Sequence, residues 1–87
     1  MSYLPSPEKL ESLGFTKSSR AIKRIMYTSK QAYGRGLFIR RSVHLHPAHG
    51  RLRLLDYQRG AVTVFDGCCP DEAFFERLLQ AVGWMPA

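Results

Sequence analysis

The chain has 87 residues, 45% of them hydrophobic and 23% charged, with a net charge of +6. That length fits one domain, residues 1–87, and the composition is that of a folded protein rather than a disordered one. With no run of about 18 or more apolar residues and no basic start followed by an apolar stretch, neither a transmembrane helix nor a secretory leader is expected.

Cys68 and Cys69 are adjacent and cannot clamp distant segments together. Such usage points to a reducing compartment, the cytoplasm. The charge is unevenly spread. Eleven Lys or Arg residues lie between positions 17 and 59 against one acid, Asp56, a net of +10. The first sixteen residues carry −1 and residues 60–87 carry −3. A basic middle between mildly acidic ends sets up a field that attracts polyanions. The plainer alternative is a solvated, Arg-rich surface with no partner.

In chain order, the first element is a short helix. Ser6 is placed to cap it, Pro7 suits its first position and Glu8 favours its positive end. Leu10 and Leu13 share a face, and Gly14 offers a left-handed stop before apolar Phe15. Residues 18–33 read two ways. At helical period Ala21, Ile22, Ile25, Met26, Ser29 and Ala32 form one face; as a strand the alternation is poor. The Tyr27-Thr28-Ser29 run weakens a helix, which tips the reading to a strand over 22–29.

From residue 37 the alternation is firmer. Residues 37–45 place Leu37, Ile39, Val43 and Leu45 on one face, interrupted by Arg41. His46-Pro47-Ala48-His49-Gly50 forms a turn, and residues 51–57 a second strand with Leu52 and Leu54 inward. A turn at residues 58–60 leads to a third strand over 61–66. Pro70, Asp71 and Glu72 then open a helix over about 70–83, with Phe74, Phe75, Leu78, Leu79 and Val82 at helical spacing and Gly83 as its stop. The predicted fold is α+β: a small antiparallel meander of three or four strands packed against this C-terminal helix, with the short N-terminal helix beside it. Phe74, Leu78 and Val82 are the expected helix anchors.

Alternation sends a second set of residues to the other sheet face: Phe38, Arg40 and His44 from the first strand, Arg51, Arg53, Leu55 and Tyr57 from the second, Thr63 and Phe65 from the third. Rings interleaved with guanidinium groups suit single-stranded nucleic acid, because bases stack on rings while cations neutralise phosphate. The plain alternative is that the N-terminal segment covers Phe38 and Phe65 and leaves arginine stems at the rim.

The remaining chemistry is sparse. His44, His46 and His49 resemble a zinc ligand set, but the usual Cys-x-x-Cys spacing is absent. A thiol at a helix N-terminus is activated by the dipole, yet Asp71 and Glu72 oppose a thiolate at Cys68 or Cys69. Gly34-Arg35-Gly36 lacks the rest of a phosphate loop, and the seven acids form no acid–base pair. The expectation is a non-enzymatic basic binding domain without metal, cofactor or membrane. It contacts nucleic acid through Phe38, Arg40, His44, Arg51, Arg53, Tyr57 and Phe65. An acidic protein surface is the alternative partner, and a metal- or thiol-dependent enzyme ranks third.

Overall fold

The computed structural model describes residues 2–20, 25–34, 37–57, 60 and 62–85, without the side chains of residues 19–20, 30–34 and 37–39. The chain forms helix α1 (Pro7–Ser12), strands β1 (Thr16–Arg20), β2 (Ile25–Gly34) and β3 (Leu37–His46), and a 3₁₀ turn at Pro47–His49. Strands β4 (Arg51–Asp56) and β5 (Val62–Gly67) and helix α2 (Glu72–Ala81) follow. The strands make one antiparallel sheet in the order β1-β2-β3-β4-β5. The fold class is α+β, as the sequence predicts, but the sheet has five strands rather than three or four.

The two additional strands have a common origin. β2 pairs with β3 from Ile25 opposite Leu45 to Gly34 opposite Leu37, so backbone hydrogen bonds to a well-patterned neighbour sustain it. Side-chain alternation matters less in such a ladder than a partner for every N–H and C=O. β1 then pairs with β2, from Thr16 opposite Thr28 to Arg20 opposite Ile25. Of the strand expected over 22–29, residues 22–24 lie outside the described residues, as do 58–59 and 61 of the following turn and strand.

Both helices cover one face of the sheet. The core joins Leu10 of α1 and Phe15 to Tyr27, Val43, Leu45, Leu52 and Leu54 of the strands, and to Cys69, Phe75 and Leu79. Asp71 caps α2, accepting a hydrogen bond from the Phe74 N–H at 2.7 Å. The helix buries Phe75 and Leu79 almost completely, while Phe74 and Leu78 pack at the flank and Val82 is the C-cap. The expected anchors Phe74, Leu78 and Val82 are thus displaced by one position. Successive helical residues turn by about 100°, so that single position separates the centre of the face from its edge.

The N-terminal segment is fixed to α2 by several contacts. Ser6 accepts from the Lys9 N–H at 3.1 Å, Pro7 opens α1, and Gly14, at φ 90°, turns the chain so that Phe15 enters the core. The Tyr3 N–H donates to the Cys69 carbonyl at 2.7 Å, and its ring lies 5.7 Å from that of Phe75. The Lys9 ammonium reaches both Glu72 at 3.2 Å and Glu76 at 2.5 Å. Arg41, the charged interruption on the core face, sits at its border with its guanidinium 5.5 Å from the Trp84 ring centroid. Such a contact contributes about 0.5–2 kcal/mol and lets a charge end an apolar row.

Two measurements test this packing. Phe75→Ala should cost about 3–5 kcal/mol, as expected for a fully buried ring. Phe74→Ala should cost clearly less; equal losses in urea unfolding would mean that α2 is rotated from the orientation described.

The second test is alkaline. Hydrogen bonds that the Lys9 ammonium donates to Glu76 and then Glu72 raise its pKa, and burial, the largest cause in each case, raises those of Tyr3 and Cys69. All three groups bind protons more tightly in the folded than in the unfolded chain. Their contribution is full below their ordinary values of 10.5, 10.0 and 9.0 and is lost as the pH rises through the folded values. Unfolding free energy should therefore fall above about pH 9, and the difference between wild type and Lys9→Met should shrink in the most alkaline part of that range. A difference independent of pH would contradict the Lys9 bridges.

Candidate polyanion-binding face

The period of two that buries Val43, Leu45, Leu52 and Leu54 sends their neighbours to the opposite face. On β3 these are Arg40, Ser42, His44 and His46; on β4 they are Arg51, Arg53 and Leu55. The register sets His46 opposite Arg51, His44 opposite Arg53 and Ser42 opposite Leu55. Neither described helix lies on this side, since α1 and α2 both pack into the core through Leu10, Phe75 and Leu79.

Side chains on this face separate into a buried middle and charged ends. Ser42, His44 and Leu55 are buried, with His44 only 7% exposed. Arg51 and Arg53 are exposed near the β3–β4 turn. Opposite Arg53 on β5 stands Asp66. Its two oxygens accept from the two arginines separately, Oδ1 from Arg51 Nη2 at 3.0 Å and Oδ2 from Arg53 Nη2 at 3.1 Å. With His46 and His49 these three side chains line a concavity of about 120 Å³. At the far end of β3, Arg40 is exposed and Tyr57, half-buried, continues the alternation of β4 beside it. The Tyr57 N–H donates to the Arg40 carbonyl at 2.9 Å.

The predicted site residues are therefore only partly brought together. Arg51 and Arg53 form one cluster; Arg40 and Tyr57 form another, about 13 Å from Arg53 and about 20 Å from Arg51 at ~3.3 Å per strand residue. His44 lies between them but inside the protein, flanked across the ladders by Met26 and Arg53. The backbone of Phe38 pairs with that of Ala32, and its side chain lies outside the described residues.

Phe65 occupies the opposite face from the one expected. Leu54 pairs with Phe65 but Leu55 pairs with Thr63, so Val64 is an extra residue in β5. A bulge of this kind resets the alternation. It turns Phe65 toward the helices, where its ring lies 6.3 Å from that of Phe74, and leaves Thr63 opposite Leu55. Among the described side chains, Tyr57 is the one aromatic ring that the alternation leaves on the face opposite the helices.

Asp66 and the two flanking histidines are the site residues that sequence reasoning missed. His46 and His49 stood out only as metal ligands, and among the described residues no group of three or more His, Cys, Asp or Glu side chains could hold a metal ion. Asp66 was hidden because its partners depend on the register of β4 against β5, which the bulge sets.

The cysteines differ sharply. Cys69 is fully buried and its thiol is pushed up by burial, with Cys68 and Asp71 adding in the same direction, whereas Cys68 is exposed. Comparison with protein-family models, curated proteins and solved structures gives no match. No helix among the described residues is long and apolar enough to cross a membrane.

Thiol labelling checks the cysteine environments. The native protein should show one fast-reacting thiol, abolished by Cys68→Ser, and a second that reacts only on unfolding. Two equally fast thiols in the native state would be incompatible with the burial of Cys69.

Proposed function

We propose that this chain is a non-enzymatic binding domain whose sheet face opposite the helices takes a polyanion through its exposed arginines, with single-stranded nucleic acid as the partner. The observation that supports it is the division of the sheet: one face is closed by both helices, and the other presents Arg40, Arg51 and Arg53 exposed. Guanidinium groups form bidentate bonds to phosphate and also stack on bases, so they serve both parts of a nucleotide. Tyr57 beside Arg40 adds a surface on which one unpaired base can stack. The net of +10 over positions 17–59 supplies long-range attraction to the same partner.

A second reading has its own support. With Phe65 turned inward, the face has fewer rings than the sequence suggests, and Tyr and Arg are also the residues that anchor protein interfaces. An acidic protein surface would be drawn by the same field.

Salt dependence and ring truncation distinguish the two. Binding of a mixed-sequence single-stranded oligonucleotide should weaken steeply with salt, and Arg40→Gln should reduce the slope of log K against log salt by about 0.7. Tyr57→Ala should cost about 1–3 kcal/mol on single strands and less on duplex. Charge reversal at Arg40 and Arg53 together should weaken binding to all sequences while circular dichroism stays unchanged. No measurable oligonucleotide binding at low salt would reject nucleic acid and bring the acidic-protein reading forward.

A further inference from the structure

We propose that the concavity at the β3–β4 turn is a phosphomonoester site, and that its occupant is the terminal phosphate of a nucleic acid strand lying along the sheet face opposite the helices; the choice of occupant rests on the nucleic-acid reading above. The wall is built from His46, His49, Arg51, Arg53 and Asp66. Asp66 engages one terminal nitrogen of each arginine, at 3.0 and 3.1 Å. A guanidinium carries five N–H donors, so each arginine keeps donors for a second anion while its orientation is set by the first. That prior ordering removes part of the entropy that two long side chains would otherwise lose on binding.

The histidines complete the donor set. A neutral imidazole offers one N–H and a charged one offers two. The fixed charges of the wall, Arg51 and Arg53 against Asp66, sum to +1, and the ring N–H groups of His46 and His49 add donors beside them. A wall with this many donors suits a group with several terminal oxygens, which describes a phosphomonoester, with three, better than an internal diester, with two. A volume of about 120 Å³ exceeds what a single water requires, about 10–15 Å³, and leaves room for a tetrahedral oxyanion.

Position selects a strand end over an internal phosphate. The concavity stands where the face stops: beyond His46 the chain leaves β3 for the Pro47–His49 turn, and His49 of that turn is part of the wall. The rest of the face runs the other way, toward Arg40 and Tyr57. A strand following it from Tyr57 reaches the concavity with its last phosphate.

Three oligonucleotides of one sequence, carrying a 5′-phosphate, a 3′-phosphate or hydroxyls at both ends, test the assignment by fluorescence anisotropy. One phosphorylated form should bind about tenfold or more tightly than the hydroxyl form, as several charge-assisted bonds imply. Inorganic phosphate should compete away that increment, and Arg51→Gln combined with His49→Ala should abolish it, so that all three forms bind with one equal, lower affinity. Equal affinities for all three would overturn the inference and leave the nucleic-acid reading intact, as would an increment that survives in the double variant. No oligonucleotide binding, even with inorganic phosphate shifting the imidazole resonances of His46 and His49, would overturn the strand-end assignment together with that reading.

Discussion

Burial of Val43, Leu45, Leu52 and Leu54 beneath Leu10, Phe75 and Leu79 is the constraint on which the rest of the structure depends. These four strand residues face each other as Val43–Leu54 and Leu45–Leu52 across the β3–β4 ladder. A slip of one residue would carry every one of them to the other side and bring arginine and histidine beneath the helices. Each large side chain in that layer contributes about 1.5–3 kcal/mol by leaving water. The wrong register is therefore excluded by many times the thermal energy. The same exclusion fixes the opposite face, because His46 must lie beside Arg51, and His44 beside Arg53, once the leucines have paired.

The arginine-bearing face is thus a by-product of core packing, with one independent addition. Arg51 and Arg53 are two apart on one strand and project from the same side, an arrangement that like charge disfavours. Asp66 offsets that repulsion by meeting both. The ion pairs are half-exposed, and surface pairs are worth only about 0–1 kcal/mol each. Their larger consequence is geometric. Two flexible guanidinium groups are held at one place on the sheet by a single carboxylate, and that place depends on the bulge at Val64.

What could be read in the sequence follows from which physical signal dominates each segment. α2 was legible because Asp71, Glu72 and the apolar spacing of residues 74–79 all agree; only its rotation was misjudged, since Phe74 and Phe75 fit an apolar stripe equally well. β3 to β5 were legible through their alternating Val, Leu and Ile residues. β1 and β2 were hard to see because their stability comes from pairing with β3, and Thr16, Ser18, Thr28 and Ser29 leave little hydrophobic period. Arg40, Arg51, Arg53 and Tyr57 could be placed on one face by counting twos. His44 was placed on the right face but not inside it, because burial depends on neighbouring strands as well as on direction. Phe65 could not be placed, since nothing in Val62-Thr63-Val64-Phe65 marks which residue is extra.

The acids account for the charge asymmetry as much as the bases do. Asp71 caps α2, Glu72 and Glu76 hold Lys9, and Glu8 lies in the favourable first turn of α1. With Glu11, also in α1, five of the seven acids therefore belong to the helices and their caps, on the covered side of the sheet. Asp56 stands opposite Arg41, in register with the core face. That leaves Asp66 as the one described acid at the exposed arginines, and it acts at one end only. In the proposed reading, a polyanion meeting Arg40 faces a cation with no carboxylate partner among the described residues, beside a ring, which favours loose, sequence-tolerant contact. At the other end it must share two oriented guanidiniums with a carboxylate, between two imidazoles in a concave wall. Only an anion with enough charge and enough oxygens competes well there. The two ends of one basic face thus differ in kind, an exposed arginine beside a ring at Arg40 and two guanidiniums oriented by a carboxylate at Arg51 and Arg53, and the difference originates in where a single aspartate is placed.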